Sequence, residues 1–465
     1  MKARFKLAVS MIIVILLVPS AFSINGEDTS IIDGKVPVKL LKTIKEEATE
    51  HYLGKDGIVG IGYTRDPPRI VFMVESKNDI NNVPEEIDGI KTKVIITGKI
   101  KTLAGDLSMI QRVSTGGGGS EKWPRLKKWS FLVGGICIGP RFWLTSGTLG
   151  IVCRLKDDQK NYYLLSCTHV IAMDVLFGRH LLKGHAIIQP GTPLLLWWRL
   201  QGVVYKDVIV GPLYKYIRIK RLPFPNYADA AIAKITNRDS KPYEILGPDD
   251  KSTFEVSLEP LEVHEDEVVW KSGINGVRNG TVDMESANVL VGYPGNRIAL
   301  FRDVIVVRSS SIYTPFGQSG DSGSTVYAED ESGNNRFVGL LFAGSTNGLF
   351  AFVCKAKHII EKLSLDTADT GSQIPQGNEP VQPKDKHPER PMPETETRNT
   401  STDESLNEYG LNDVYGIEDI FENNPSEETS SEEESVDLPV VEPVGYKVTD
   451  DSVTLKAILV DDGGE

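Results

Sequence analysis

GQSGDSGSTVY, residues 317–327, is the stretch on which the reading of the fold turns. Ser322 stands between Asp321 and Gly323, with Gly320 two places ahead. An acyl-transfer site needs a serine on a tight turn with its Oγ projecting. It also needs the N–H of the residue two before to point into the same space as the serine N–H, so that the pair can hold the oxyanion of a tetrahedral intermediate. Glycine at 320 permits the unusual backbone, and its missing side chain lets substrate approach. A Gly/Ser-rich turn is common, so the string gains weight only with partners.

Two further strings supply them. NYYLLSCTHVI, residues 161–171, reads as a strand running directly into His169, and none of the other six histidines follows such a strand. A base must sit on a rigid element to meet its nucleophile within hydrogen-bond reach. NYADAAIAKI, residues 226–235, sets Asp229 among small apolar neighbours, where a carboxylate is costly unless paired. An imidazole N–H suits it, because the carboxylate then fixes the tautomer and stabilises the imidazolium. The order is His169, Asp229, Ser322, with separations of 60 and 93 residues. That is enough chain to put the first two on one β-barrel and the serine on the next.

In that order the strings LSCTHVI, DAAIA and GDSGS resemble the signatures of the chymotrypsin-like serine peptidases. The resemblance implies that His169 is the general base and acid, Asp229 its orienter and Ser322 the nucleophile. It also implies that the N–H groups of Gly320 and Ser322 form the oxyanion hole. GIVGIGYTRDPPRIVFMVES (57–76), GGICIGP (134–140), GTLGIV (147–152), IIQPG (187–191), KSGINGVRNGTV (271–282) and GLLFAGS (339–345) look like the narrow-leaf-type trypsin-like peptidases of plants and microbes, over roughly residues 40–363. This implies an endopeptidase acting on a protein or peptide substrate, needing no cofactor and no metal, and compatible with a homo-oligomer. Two rivals share the fold: a catalytically silent binding or scaffold module at the cell surface, against which the intact His169, Asp229 and Ser322 argue, and an esterase using the same three residues.

Three departures shape the expectations. Cys167 precedes His169 by two places, so the disulfide pattern of the digestive enzymes does not carry over. Those enzymes place a new N-terminus beside the aspartate before the serine; here that residue is Asp321, no activation sequence is obvious ahead of Gly134, and Asp321 is expected to accept local backbone N–H bonds. Six places before Ser322 stands Phe316, not an acid, so no preference for Lys or Arg is expected.

Working outward, short β-rich runs such as GTLGIVCRL and RFVGLLFAG recur between Gly, Pro, Asn and Asp, as in barrels and sandwiches. Residues 129–365 are read as the peptidase domain. Ahead of it, 36–54 reads as a helix and 57–63, 69–76 and 90–98 as strands, a compact α+β unit over 36–113. A linker, 114–128, contains Gly116–Gly119. The fold expected is mainly β: a chymotrypsin-like double β-barrel preceded by a small α+β domain and followed by a disordered acidic tail.

That tail, 366–465, carries 26 acidic against 6 basic residues, net −20, while residues 1–365 carry net +7. It cannot bury enough apolar surface to offset chain entropy, although YKVTDDSVTLKAILV (446–460) alternates like one strand or a docking peptide. No single-sign field covers the body, so nucleic acid is not an expected partner. Residues 1–23 have the charged, apolar, small-residue order of a secretory signal, and the apolar core is shorter than the ~20 residues of a membrane span. A secreted or cell-surface protein is expected, with an uncleaved membrane anchor as the alternative. The four cysteines form no CxxC pair, which argues against zinc. Outside the cell disulfides become available; Cys153–Cys167, flanking a hairpin, is the favoured pair, and buried free thiols are the alternative. HEDE (264–267) lacks the second histidine of HExxH and reads as solvated charge. LLLWWRL (194–200) reads as a barrel strand or interface, and Asn279 and Asn399 open glycosylation sequons.

Overall fold

The computed structural model describes residues 36–105, 124–143, 145–174, 176–191, 208–236, 238–368, 441–449 and 452–459. The signal-like stretch 1–23, Gly116–Gly119, LLLWWRL and Asn399 lie outside these residues. The described chain is mainly β and groups into two units, Met1–Gln373 and Ile374–Glu465.

In the first unit, a seven-stranded sheet includes Cys137–Pro140, Ile151–Leu155, Asp158–Ser166, Ile209–Tyr216 and Ala231–Lys234. A thirteen-stranded sheet includes Val268–Gly273, Gly276–Tyr293, Arg297–Ser309, Thr325–Glu329, Asn335–Ser345 and Phe350–Lys355. Ile151, Val152, Leu164, Leu165, Ile232 and Ala233 lie in one apolar core with Phe301, Leu340 and Phe342 of the larger sheet. Each fully buried aliphatic or aromatic side chain contributes roughly 1.5–3 kcal/mol. The core is shared, and so holds the two sheets at a fixed mutual position.

The segment read as an α+β unit forms a helix, Val38–Tyr52, and strands Ile58–Arg65, Pro68–Val74 and Ile90–Ile96. Ile58–Arg65 pairs with Gly276–Tyr293, so these strands extend the thirteen-stranded sheet. Glycine makes the approach close: a Cβ on Gly62 would stand 2.5 Å from Met284 Sδ and 3.1 Å from Ala287 Cβ. The helix buries Leu41, Ile44 and Ala48 and also Lys45, whose Nζ donates to Ser286 Oγ at 2.9 Å. Asn288 Nδ2 donates to Thr49 Oγ1 at 3.0 Å. HEDE is not merely solvated charge: His264 Nδ1 lies 2.9 Å from Glu285 Oε2, and Glu265 Oε2 accepts from Arg65 N at 2.6 Å.

All four cysteines are buried and free, which corrects the expected Cys153–Cys167 bridge. Register is the reason. Cys153 faces Tyr163 across its hairpin, four residues short of Cys167. At ~3.3 Å per residue that offset is about 13 Å along the strand, whereas a disulfide needs Cα atoms about 4.4–6.8 Å apart.

In the second unit, Val441–Thr449 and Ser452–Leu459 pair antiparallel, with Tyr446 opposite Leu455. The alternating run at the C-terminal end is therefore two strands rather than one.

Candidate active site

Strand Asp158–Ser166 delivers His169. The chain leaves the seven-stranded sheet at Cys167 and forms a single helical turn, Thr168–Ile171, buried throughout. Thr168 Oγ1 lies 2.8 Å from Ala230 O and 2.9 Å from Ile217 O, which fastens this turn to the segment carrying Asp229. Ala228, Ala230 and Ala231 are fully buried, and their small side chains let the two backbones approach.

Ser322 enters from the thirteen-stranded sheet, on the turn before Thr325–Glu329. Gly320 and Gly323 both have φ of 91°, a left-handed region that disfavours any residue with a Cβ. At Gly323 there is also no space, since a Cβ would stand 2.3 Å from Thr148 O and from Ser166 Oγ. Thr148 braces the turn twice: its Oγ1 donates to Gly320 O at 2.9 Å, and its N–H donates to Ser322 O at 2.8 Å.

The fold brings His169, Asp229 and Ser322 together. His169 Nδ1 lies 2.5 Å from Asp229 Oδ2, and its Nε2 lies 2.7 Å from Ser322 Oγ. All three residues are buried. His169 N–H also donates to Asp229 Oδ1 at 3.2 Å, and Tyr293 O–H donates to Oδ2 at 2.5 Å. Burial pushes the Asp229 carboxyl up, but the His169 ring, the Tyr293 hydroxyl and the His169 N–H outweigh it and hold it below the usual carboxylate range. An ionised carboxylate only accepts, so Nδ1 carries the proton and Nε2 presents its lone pair to the Ser322 hydroxyl. The N–H groups of Gly320 and Ser322 converge on one acceptor, the carbonyl oxygen of Leu103, at 2.6 and 3.4 Å. Two donors aimed at one oxygen beside an activated hydroxyl can stabilise the charge that develops on an attacked carbonyl.

Three supporting residues were not found by reading motifs. Thr148 and Lys271 lie within quoted strings, GTLG and KSG, but had no assigned task. Lys271 Nζ lies 2.7 Å from Asp321 Oδ2, both side chains fully buried. Asp321 accepts one local backbone N–H, from Gln318 at 3.0 Å, and one from a distant strand turn, Asn275, at 3.2 Å. The ammonium beside it is an internal lysine. Tyr293 left no signal in the sequence. Its ring meets His169 edge-on with centroids 5.8 Å apart, and burial and the Asp229 charge push its phenol well above the ordinary value.

The Tyr293 hydroxyl helps to fix the Asp229 carboxylate in place. Tyr293→Phe removes one hydrogen bond to a buried carboxylate, a loss of about 1.5–3 kcal/mol. The expected result is a kcat lower by roughly ten- to a hundredfold with KM nearly unchanged. Steady-state kinetics on a peptide substrate reads both, and a change confined to KM would refute the role.

Cys167, His169 and Asp229 present possible ligand atoms within 4.8 Å of one another. Burial and the Asp229 charge push the Cys167 thiol well above its ordinary value, and Nδ1 is engaged by Asp229. Hydrogen bonds already engage these atoms, with the Cys167 thiol 3.5 Å from Leu341 O and Nδ1 on Asp229.

A cavity of about 570 Å³ is lined by Arg179, His180, Tyr216, Arg218, Arg221 and Arg297, among others. His180 stacks on Tyr216 with centroids 5.4 Å apart. Burial and Arg218 push its imidazole down, while Asp229 is near enough to oppose them.

No protein-family model matches the chain, and no curated protein matches it. Among solved structures, Protease A of Thermobifida fusca is similar over 50% of this chain and 96% of its own, at 14% identity and a TM-score of 0.34. A chymotrypsin of Cellulomonas bogoriensis is similar over 50% of this chain and 97% of its own, at 15% identity and a TM-score of 0.33. A glutamic acid specific serine protease is similar over 50% and 98%, at 15% identity and a TM-score of 0.34.

Proposed function

We propose that the chain is an exported serine endopeptidase built on a chymotrypsin-like double β-barrel of the narrow-leaf type. The observation that carries the reading is the single imidazole bridging a buried carboxylate and a serine hydroxyl, at 2.5 and 2.7 Å. Ser322 Oγ attacks a peptide carbonyl while His169 Nε2 takes its proton. Gly320 and Ser322 N–H hold the oxyanion, and His169 returns the proton to the leaving amine. Water, deprotonated by His169, then releases the acyl group from Ser322. Export rests on the signal-like order of residues 1–23 and on nothing in the described residues.

A fluorophosphonate probe is expected to label the protein on Ser322, with labelling abolished in Ser322→Ala. Labelling that persists in the variant would sink the assignment.

The basic cavity fits acidic flanking residues on the substrate. For a peptide with such a flank, kcat/KM is expected to fall about tenfold between about 0.05 and about 0.5 M salt, because screening removes the attraction. A neutral-flanked peptide should change little. Equal salt responses from the two peptides would exclude the cavity from substrate binding.

A further inference from the structure

We propose that the bond between Leu103 and Ala104 is the protein's own cleavage site, cut in cis by Ser322; this rests on the peptidase reading above. The chain threads its own site as an extended strand. Ile100–Thr102 pairs antiparallel with Asn335–Ser345, Thr102 opposite Ala343, Lys101 opposite Gly344 and Ile100 opposite Ser345. The ladder continues at Leu103, whose N–H donates to Phe342 O at 3.2 Å. Leu103 N also lies 3.0 Å from Ser322 Oγ, and Leu103 O receives the N–H groups of Gly320 and Ser322. With the nitrogen at the nucleophile and the oxygen on the paired donors, the carbonyl of Leu103 occupies the position of a scissile carbonyl.

The other side of the bond is held as well. Ala104 O accepts from Ser319 Oγ at 3.1 Å, and Gly105 exchanges both backbone hydrogen bonds with Ser146, at 2.7 and 3.0 Å. The Leu103 side chain enters a pocket whose walls are glycine. A Cβ on Gly317 would stand 2.7 Å from Leu103 Cδ1, and one on Gly344 would stand 3.0 Å from Cδ2. The pocket belongs to the apolar cluster that contains fully buried Phe316 and Leu341, so a leucine fits it and a charged side chain does not.

In the reaction the Ser322 Oγ–H proton passes to His169 Nε2 while Oγ bonds to the Leu103 carbonyl carbon. The carbon–nitrogen bond to Ala104 breaks, and the His169 proton goes to the Ala104 nitrogen. One water then hydrolyses the Leu103 ester, regenerating Ser322. Pre-alignment in one chain replaces a bimolecular encounter, so the step is first order. The N-terminal piece stays, because Ile58–Arg65 remains in the sheet beside Gly276–Tyr293 and the helix Val38–Tyr52 keeps its bonds to Ser286 and Asn288. Cleavage therefore opens the site without shedding the N-terminal segment.

The test incubates the purified full-length chain and determines new ends by mass and terminal sequencing. Expected are fragments ending at Leu103 and beginning at Ala104, at a rate independent of protein concentration, co-eluting in native size exclusion. Ser322→Ala, Leu103→Asp and, as a milder variant, Leu103→Gly should stay joined or, for glycine, be cut at least tenfold more slowly. The aspartate variant, its site cleared, should label with the fluorophosphonate. A wild-type chain that stays intact while Leu103→Asp labels and digests casein overturns self-cleavage and leaves the peptidase reading standing. Absence of labelling and of cleavage in both overturns the peptidase reading and this inference with it. Cleavage whose rate rises with concentration, or cutting of Ser322→Ala by added wild type, overturns the cis mechanism.

Discussion

Asp229→Asn is expected to lower kcat by about four orders of magnitude while the protein remains folded. The substitution keeps size and shape but exchanges an acceptor-only group for one that also donates. In the native site His169 Nδ1, His169 N–H and Tyr293 O–H all point donors at this carboxylate, at 2.5, 3.2 and 2.5 Å. An amide accepts on one atom only. If its oxygen takes the Oδ1 place and serves the His169 N–H, its NH₂ takes the Oδ2 place shared by His169 Nδ1 and the Tyr293 hydroxyl, and the ring adopts the opposite tautomer. Nε2 then carries hydrogen toward Ser322 Oγ and cannot take the hydroxyl proton. The lost charge also removes the stabilisation of the imidazolium formed during attack. Single-turnover kinetics on an activated ester and on an amide separates acylation from release. A fall of less than tenfold on the amide would mean that Asp229 does not set the state of His169.

The part of the site that was legible in the sequence is the part that local chemistry dictates. Gly320 and Gly323 are needed because φ is 91° at both, and Asp229 needs small neighbours to meet a buried imidazole. The supporting residues are fixed by register between distant strands. In Val268–Gly273 the alternation misleads: Val268 and Trp270 face solvent, whereas Lys271 is fully buried. A lysine on a strand is ordinarily exposed, and only the pairing of Lys271 with Val326, four places beyond Ser322, brings it beneath the serine turn. Tyr293 reaches Asp229 from the end of Gly276–Tyr293, which no pattern near residue 229 announces. The strand Ile58–Arg65 was legible as a strand from its run of Ile, Val and Gly. Its partner, 276–293, lies more than half of the described chain away, and no local pattern names it. The Cys153–Cys167 expectation failed for a related reason, since flanking a hairpin does not place two residues opposite each other.

Lys271→Met is the second large effect, and it acts on stability and on the oxyanion donors together. The ammonium lies 2.7 Å from Asp321 with both side chains out of water. Burial pushes the Lys271 ammonium below its ordinary value, and Asp321 opposes that shift. Methionine retains the stem volume but leaves the Asp321 carboxylate buried without its counter-ion. Removing one partner of such a pair costs about 3–5 kcal/mol. Because Asp321 also accepts from Gln318 and Asn275, the relief it finds is to turn or to draw in water. Either of these disturbs the turn that aims Gly320 N–H. The expected result is a loss of about 3–5 kcal/mol in denaturant unfolding with a drop in kcat exceeding that in KM. Asp321→Asn added to Lys271→Met removes the stranded charge, so the double variant should regain part of the stability, and the cycle gives the coupling. A Lys271→Met protein within about 1 kcal/mol of wild type, or a double variant no more stable than the single, would show that the ammonium does not hold this turn.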